Sequence, residues 1–254
     1  MNHVEVPAVR RSGTGPAVVF LHPLGVDSRY WDPLVPLLPG YSVLSYDLPG
    51  HGSSRTQPGL KIADMAEQLA MLMRQQDVDR AHVVGVSLGG LVAQHFAAGY
   101  PEMIDRLVLV DTVAIYPPAV RAQWIERAAT ARTVGMGPLV EPTLTSWFTP
   151  NFLTTDGPEI AAVRAMLASA DPEGYAVACE ALEAADATGL ASGITAPTLL
   201  MCGTEDMPPF TAAVSFFAEH ILRTDICWLS PAQHAGVLEL PDQVAAALTA
   251  FLPR

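Results

Sequence analysis

His82-Val83-Val84-Gly85-Val86-Ser87-Leu88-Gly89-Gly90-Leu91-Val92-Ala93-Gln94-His95-Phe96-Ala97-Ala98 decides the fold. The run from His82 to Val86 is apolar and rich in β-branched side chains, the composition and length of a buried strand. From Leu88 to Ala98 the pattern becomes helical, so strand must pass to helix through Gly85-Val86-Ser87-Leu88-Gly89 without an intervening loop. So sharp a bend has no space for side chains at Gly85 and Gly89. It predicts that the Ser87 hydroxyl stands clear above the strand end, with the amide of Leu88 beside it at a helix N-terminus.

Outward from this stretch the same grammar repeats. Strand-length apolar runs occur at Val18 to Leu21, Ser42 to Tyr46, Leu107 to Val110, Thr198 to Cys202 and Asp225 to Leu229, with helical patterns such as Ile62 to Gln76 between them. The alternation predicts an α/β fold: a mostly parallel central sheet flanked by helices on both faces. One interval departs from the rhythm. Between Asp111 and Thr198 lie about 85 residues with alanine-rich helical stretches, far more than an ordinary connection needs. They are expected to form a helical cap over the carboxyl edge of the sheet, entered at Pro117-Pro118 and left through Gly189 to Pro197. The expected division is a core domain of residues 1–114 and 194–254 and a cap domain of residues 115–193.

Of 254 residues, 50% are hydrophobic and 16% charged, enough to bury a large core in one or two compact units. Fourteen Lys plus Arg against 26 Asp plus Glu give a net charge of -12, which repels a phosphate backbone. Nucleic acid is therefore excluded as the expected partner. The longest apolar runs, Ala17 to Leu21 and Leu107 to Val110, fall well short of the roughly 20 residues that a membrane-spanning helix needs, so no membrane partner is expected. Around Glu5 and Arg10-Arg11 there is no basic, apolar and small-residue succession of the kind that directs export. Cys179, Cys202 and Cys227 are odd in number and widely spaced, fitting neither a disulfide framework nor a zinc site. Buried free thiols in a reducing cytoplasm are the expectation, with a small molecule as the partner. Oligomeric state is not legible.

A serine hydroxyl becomes a nucleophile only when a base takes its proton and a carboxylate orients that base. On a sheet of this kind the order along the chain is serine, acid, histidine. His234, in the loop Pro231-Ala232-Gln233-His234-Ala235-Gly236 after the last strand, is the expected base. His95 lies on the helix after Ser87, His220 near another helix end, and His22 is expected to brace its own loop. The acid should follow the strand at Thr198, where Gly203-Thr204-Glu205-Asp206 offers Asp206, with Glu205 turned to solvent. Asp111, at another strand end, is the rival. A second amide donor beside that of Leu88 is expected at Leu24 in His22-Pro23-Leu24-Gly25, since Pro23 has no amide hydrogen. No His-x-x-x-His spacing or phosphate loop occurs, so neither metal nor cofactor is expected. Gly50-His51-Gly52 reads as a structural turn.

Tyr46-Asp47-Leu48-Pro49-Gly50-His51-Gly52-Ser53-Ser54, the bend at Ser87 and Gly203-Thr204-Glu205-Asp206 together resemble the α/β-hydrolase superfamily. Trp31-Asp32-Pro33, Trp147-Phe148-Thr149-Pro150, Asp171-Pro172-Glu173-Gly174-Tyr175-Ala176, Cys179-Glu180-Ala181-Leu182 and Ala185-Asp186 narrow the resemblance to the 3-oxoadipate enol-lactone hydrolases. That family commonly has asparagine and serine where this chain has His22 and Pro23. The resemblance implies a cofactor-free serine hydrolase that opens a carboxylated lactone in aromatic-compound catabolism. Other esters, a carbon-carbon bond or perhydrolysis are alternative chemistries, and a non-catalytic binding protein is the remote one. A dehalogenase would carry aspartate in place of Ser87. A carboxylated substrate calls for a local cation. Arg121, Trp124, Ala128 and Arg132 form one stripe of a cap helix, at about 100° per residue, that faces either the pocket or solvent. Arg121, Arg127 and Arg132, with Trp124 and Trp147, are the candidate substrate contacts.

Overall fold

A computed structural model describes residues 9–253 of the chain. The reading of the residues around Glu5 as free of an export signal falls outside this range. Seven strands form one sheet: β1 (Val9–Ser12), β2 (Ala17–Leu21), β3 (Ser42–Tyr46), β4 (Ala81–Val86), β5 (Ile104–Val110), β6 (Thr198–Gly203) and β7 (Thr224–Leu229). Their order is β1-β3-β2-β4-β5-β6-β7, and every neighbouring pair is parallel except β1 with β3. Along the central strands alternate residues enter opposite layers, as a period of two requires. Val19, Leu21, Val83, Leu107 and Leu109 join one core, and Val18, Phe20, Val84, Val108 and Val110 the other. Burial on both faces is the reason these strands read as unbroken apolar runs.

β1 is the strand that the apolar pattern does not announce. Val9-Arg10-Arg11-Ser12 has one apolar side chain, and three of its four residues are exposed. Its backbone ladder to β3, from Val9 opposite Tyr46 to Ser12 opposite Val43, makes it a strand. Charged side chains are at home on such an edge.

The helices are α1 (Ile62–Gln75), α2 (Leu88–Gly99), α3 (Pro118–Val134), α4 (Gly137–Trp147), α5 (Pro150–Leu153), α6 (Pro158–Ser169), α7 (Pro172–Ala184), α8 (Pro208–His220), α9 (Gly236–Glu239) and α10 (Pro241–Phe251). Among the described residues, no helix is long and apolar enough to cross a membrane. Helices α3 to α7 all fall between β5 and β6, with α3 packed along α7 and α4 against α6. Proline opens each of the five within its first two positions, where its fixed φ and missing N–H cost nothing. A bridge between Ile115 and Asp186, and a 2.8 Å bond from Ala187 N to Ala114 O, tie the entrance of this insertion to its exit.

The insertion meets the loop after β3 backbone to backbone. Gly50, at φ +78°, follows β3, and Gly174 lies in the first turn of α7. A Cβ on Gly174 would stand 2.0 Å from the Gly50 carbonyl oxygen. Gly174→Ala is therefore expected to destabilise the fold by about 1–3 kcal/mol, the usual scale of forced overpacking. Gly99→Ala, whose added methyl meets nothing within 4 Å, is expected not to. Urea unfolding of the two variants checks the contrast.

Candidate active site

Ser87 sits between β4 and α2 at φ 54° and ψ -112°, a conformation that non-glycine residues rarely adopt. The surrounding glycines show why it persists. A Cβ on Gly85 would lie 2.3 Å from the Gly89 carbonyl, and one on Gly89 would lie 2.2 Å from the carbonyl of Leu21 in β2. Three hydrogen bonds hold the bend: Ser87 N donates to Val110 O at 3.0 Å, while Ser87 O accepts from Leu91 N at 3.1 Å and Thr112 Oγ1 at 2.8 Å.

His234 and Asp206 come together from the loops after β7 and β6. Asp206 Oδ2 accepts from His234 Nδ1 at 2.9 Å, and its Oδ1 accepts from Met207 N at 2.7 Å. Because a carboxylate only accepts, Nδ1 carries the proton, and the lone pair of the neutral ring is on Nε2. The loops can touch because Gly203 has no side chain: a Cβ there would stand 2.4 Å from the carbonyls of Ala232 and Gln233. Asp111, the rival acid, is buried and does not bond His234. Its Oδ1 accepts from Gly203 N at 2.8 Å and its Oδ2 has no partner. Burial, and then the charge of Asp206, push the Asp111 carboxyl well above the usual range. Asp206, with two donors, is the carboxyl placed to orient His234, while burial favours the protonated form of Asp111 beside it.

The loop after β2 is braced as its histidine suggests. Leu48 N donates to His22 Nε2 at 2.8 Å, which leaves Nδ1 to donate to Pro23 O, also at 2.8 Å. Burial holds the His22 pKa below its ordinary value, consistent with this neutral form. Asp47 organises the Gly50-His51-Gly52 turn behind it, accepting from the amides of Ser28 at 2.9 Å and Ser53 at 2.8 Å. Burial alone would raise the Asp47 pKa; these donors outweigh it and hold the group low. Gly25, at φ +81°, lets the loop pack against Leu167 and Tyr175 of the insertion. Among the described residues, the amides of Leu24 and Leu88 have no hydrogen-bond acceptor.

Ser87, His234 and Leu24 open into one cavity of about 170 Å³. Ser87 and His234 do not hydrogen-bond each other there, which is common where such groups await a ligand. Phe210 and Trp147 flank the imidazole, with ring centroids at 4.3 and 5.9 Å. A larger hollow of about 490 Å³ lies between Arg10 and Met166 and contains neither Ser87 nor His234.

Of the arginines expected near the pocket, only Arg127 lines the cavity, beside Trp124 and Trp147. Arg121 instead donates to Ala185 O at 3.3 Å, and Arg132 is held by Glu173 and Glu180 of α7. The expected stripe is corrected accordingly. Arg127 lies about 60° to one side of Trp124 around α3, and Arg121 and Arg132 lie to the other side. Tyr175 Oη takes hydrogen bonds from both Nε and Nη2 of Arg127, at 2.9 and 2.5 Å, and Thr143 Oγ1 takes one from Nη2 at 2.7 Å. None of these acceptors is a carboxylate.

The alpha/beta hydrolase fold family model matches residues 16–208. The chain belongs to this family. It is 32% identical over 242 residues to 3-oxoadipate enol-lactonase 2 of Acinetobacter baylyi, covering 94% of this chain and 89% of that one. Among solved structures it resembles the enol-lactonase from Burkholderia xenovorans, with a TM-score of 0.91, 33% identity, and 96% and 95% of the two chains covered. It also resembles a thermophilic esterase from Thermogutta terrifontis, with a TM-score of 0.89, 28% identity, and 96% and 92% covered.

Some features of this α/β hydrolase's site are not visible in its sequence. Glu239 joins the insertion to the histidine loop: Oε1 accepts from Gln233 N at 2.8 Å, and Oε2 from Thr149 N at 3.0 Å and Thr149 Oγ1 at 2.5 Å. Tyr116, before α3, and Phe210, in the first turn of α8, line the cavity from segments that carry no motif. The upward shift of Asp111 has a measurable consequence. The folded chain keeps a proton that the unfolded chain releases above a pKa of about 3.9, so this residue's contribution to stability falls as pH rises from there through the raised folded value. Asp111→Asn has no such proton to lose. In urea unfolding at pH 5 and pH 8, the stability difference is expected to move in favour of the Asn variant at the higher pH. A flat difference would mean that Asp111 is ionised in the fold.

Proposed function

We propose that the chain is a serine hydrolase that opens a small carboxylated lactone, 3-oxoadipate enol-lactone being the substrate its relatives suggest. In this reading the segment 115–193 is a cap over the site. The observation that carries the reading is the placement of the strained Ser87 and the Asp206-oriented His234 in one small cavity with Arg127. Ser87 Oγ attacks the lactone carbonyl as its proton passes to His234 Nε2. Asp206 orients the ring and stabilises the imidazolium. The amides of Leu24 and Leu88 receive the charge that develops on the carbonyl oxygen. The ring carbon-oxygen bond then breaks, the enol becomes a ketone, and water activated by His234 releases the acid from Ser87. No step requires a cofactor.

Arg127 supports the carboxylate. Its guanidinium is fixed by neutral hydroxyls and stacks on Trp124 and Tyr175, at 5.5 and 5.8 Å, so its charge is unpaired in a half-buried wall. A substrate anion supplies the missing partner. On this reading the substrate belongs to the β-ketoadipate route of aromatic catabolism. Two measurements test the reading. Turnover of the enol-lactone is expected to fall by about 10⁴-fold or more in Ser87→Ala, the scale of losing a nucleophile. Arg127→Gln is expected to raise KM for the carboxylated lactone about 10- to 100-fold, the worth of a charge-assisted pair, and to leave a neutral lactone within about twofold. Equal effects on both lactones would remove Arg127 from carboxylate recognition.

A further inference from the structure

Tyr116 occupies a place that packing alone does not explain. Its backbone is clamped at the neck of the insertion, next to the Ile115–Asp186 bridge. Its ring stands edge-on to Trp124 and Phe210, with centroids at 5.4 and 6.2 Å, and only 1% of the residue is exposed. The phenol thus has little freedom to turn. It lines the cavity beside Ser87, close enough to feel that hydroxyl, yet its oxygen has no hydrogen-bond partner. A buried phenol without a partner is costly, and phenylalanine would fill the same space without that cost.

What could satisfy it follows from the oxygens that meet at Ser87. On the proposed reading, the carbonyl oxygen belongs to the two backbone amides, and Ser87 Oγ becomes bonded to the acyl carbon. The third oxygen on that carbon is the one that leaves. We infer that Tyr116 is a further catalytic residue, its phenolic O–H donating a hydrogen bond to the leaving oxygen of the ester or lactone as the carbon-oxygen bond breaks. Ser87 Oγ forms the new bond to carbon. The leaving oxygen takes the electron pair of the old bond and then the proton that His234 received from Ser87. Tyr116 keeps its own proton throughout. Burial raises the phenol above its ordinary pKa, so it remains a donor across the neutral and mildly alkaline range. The inference also names a preference: substrates whose leaving oxygen is basic need this bond most, and activated phenols need it least.

The inference rests on Ser87 being the nucleophile, and the experiment separates the two. Tyr116→Phe keeps the ring, so the variant is expected to melt at or above the wild-type temperature. kcat/KM is measured for wild type, Tyr116→Phe and Ser87→Ala on esters with one acyl group and ethyl, phenyl and p-nitrophenyl leaving groups. The Phe variant is expected to lose about 10- to 100-fold on the ethyl ester and less than about threefold on the p-nitrophenyl ester. The dependence of rate on leaving-group pKa steepens as a result. A uniform loss across the series, or none, overturns the role of Tyr116 while leaving the nucleophile assignment intact. If Ser87→Ala retains wild-type rates, both fall together.

Discussion

The bend at Ser87 is the constraint on which the rest of the molecule depends. A serine at φ 54° costs on the order of 1–3 kcal/mol and persists only where its surroundings leave no alternative. Here β4 and α2 would separate if the bend relaxed, because the turn has been packed to the limit of backbone contact: Gly85 meets Gly89, and Gly89 meets the end of β2. The strain is thus distributed over three central elements: β2 and β4, whose apolar residues lie in both cores, and α2, whose apolar residues lie in one. Thr112, one residue after Asp111, then binds the Ser87 carbonyl, so the end of β5 is locked to the same point. Asp111 itself sits at φ 45°. Two adjacent parallel strands therefore end in unfavourable backbone conformations, and each end faces the site.

Around that fixed point the other groups are held by close approach. Gly203 lets the acid loop lie on the histidine loop, Gly25 lets the loop after β2 lie under α6 and α7, and Gly50 and Gly174 press the sheet domain against the insertion. Glu239 adds a hydrogen-bonded clasp, accepting from both Gln233 and Thr149. Ala235 N donates to Trp147 O at 2.8 Å, so His234 is tied to the insertion from both sides of its loop. The insertion consequently does more than line the cavity. It supplies part of the framework that fixes the imidazole, and a disturbance at α4 reaches His234 through two separate contacts.

How much of this was legible follows from the kind of information each feature needs. The strands at Val18, Ser42 and Thr198 were plain because burial on both faces forces continuous apolar runs, whereas β1, an exposed ladder of arginines, is made by its partner and not by its own composition. Ser87, Asp206 and His234 were legible through local bends and chain order, and the structure brings Asp206 and His234 within 2.9 Å. The arginines of α3 were only partly legible. A helical period identifies faces, but which face is free depends on where α7 carries Glu173 and Glu180, and that is a tertiary fact. The raised pKa of Asp111 and the clasp at Glu239 were out of reach for the same reason, since each involves a partner at least 90 residues away in the chain.

The electrostatic arrangement of the cavity has its own logic in a chain with a net charge of -12. A site for the proposed anionic substrate cannot rely on the field of the whole protein, which opposes it. It must instead present short-range donors whose desolvation has already been met by folding. Arg127 is anchored by hydroxyls without being neutralised, while Trp124 Nε1 and Tyr116 Oη are buried without partners. Beneath them, burial and the charge of Asp206 push the Asp111 carboxyl upward, which disfavours a second anion there. On the proposed reading, these donors without acceptors leave a deficit that an oxygen-rich, negatively charged molecule fills and a neutral hydrocarbon does not.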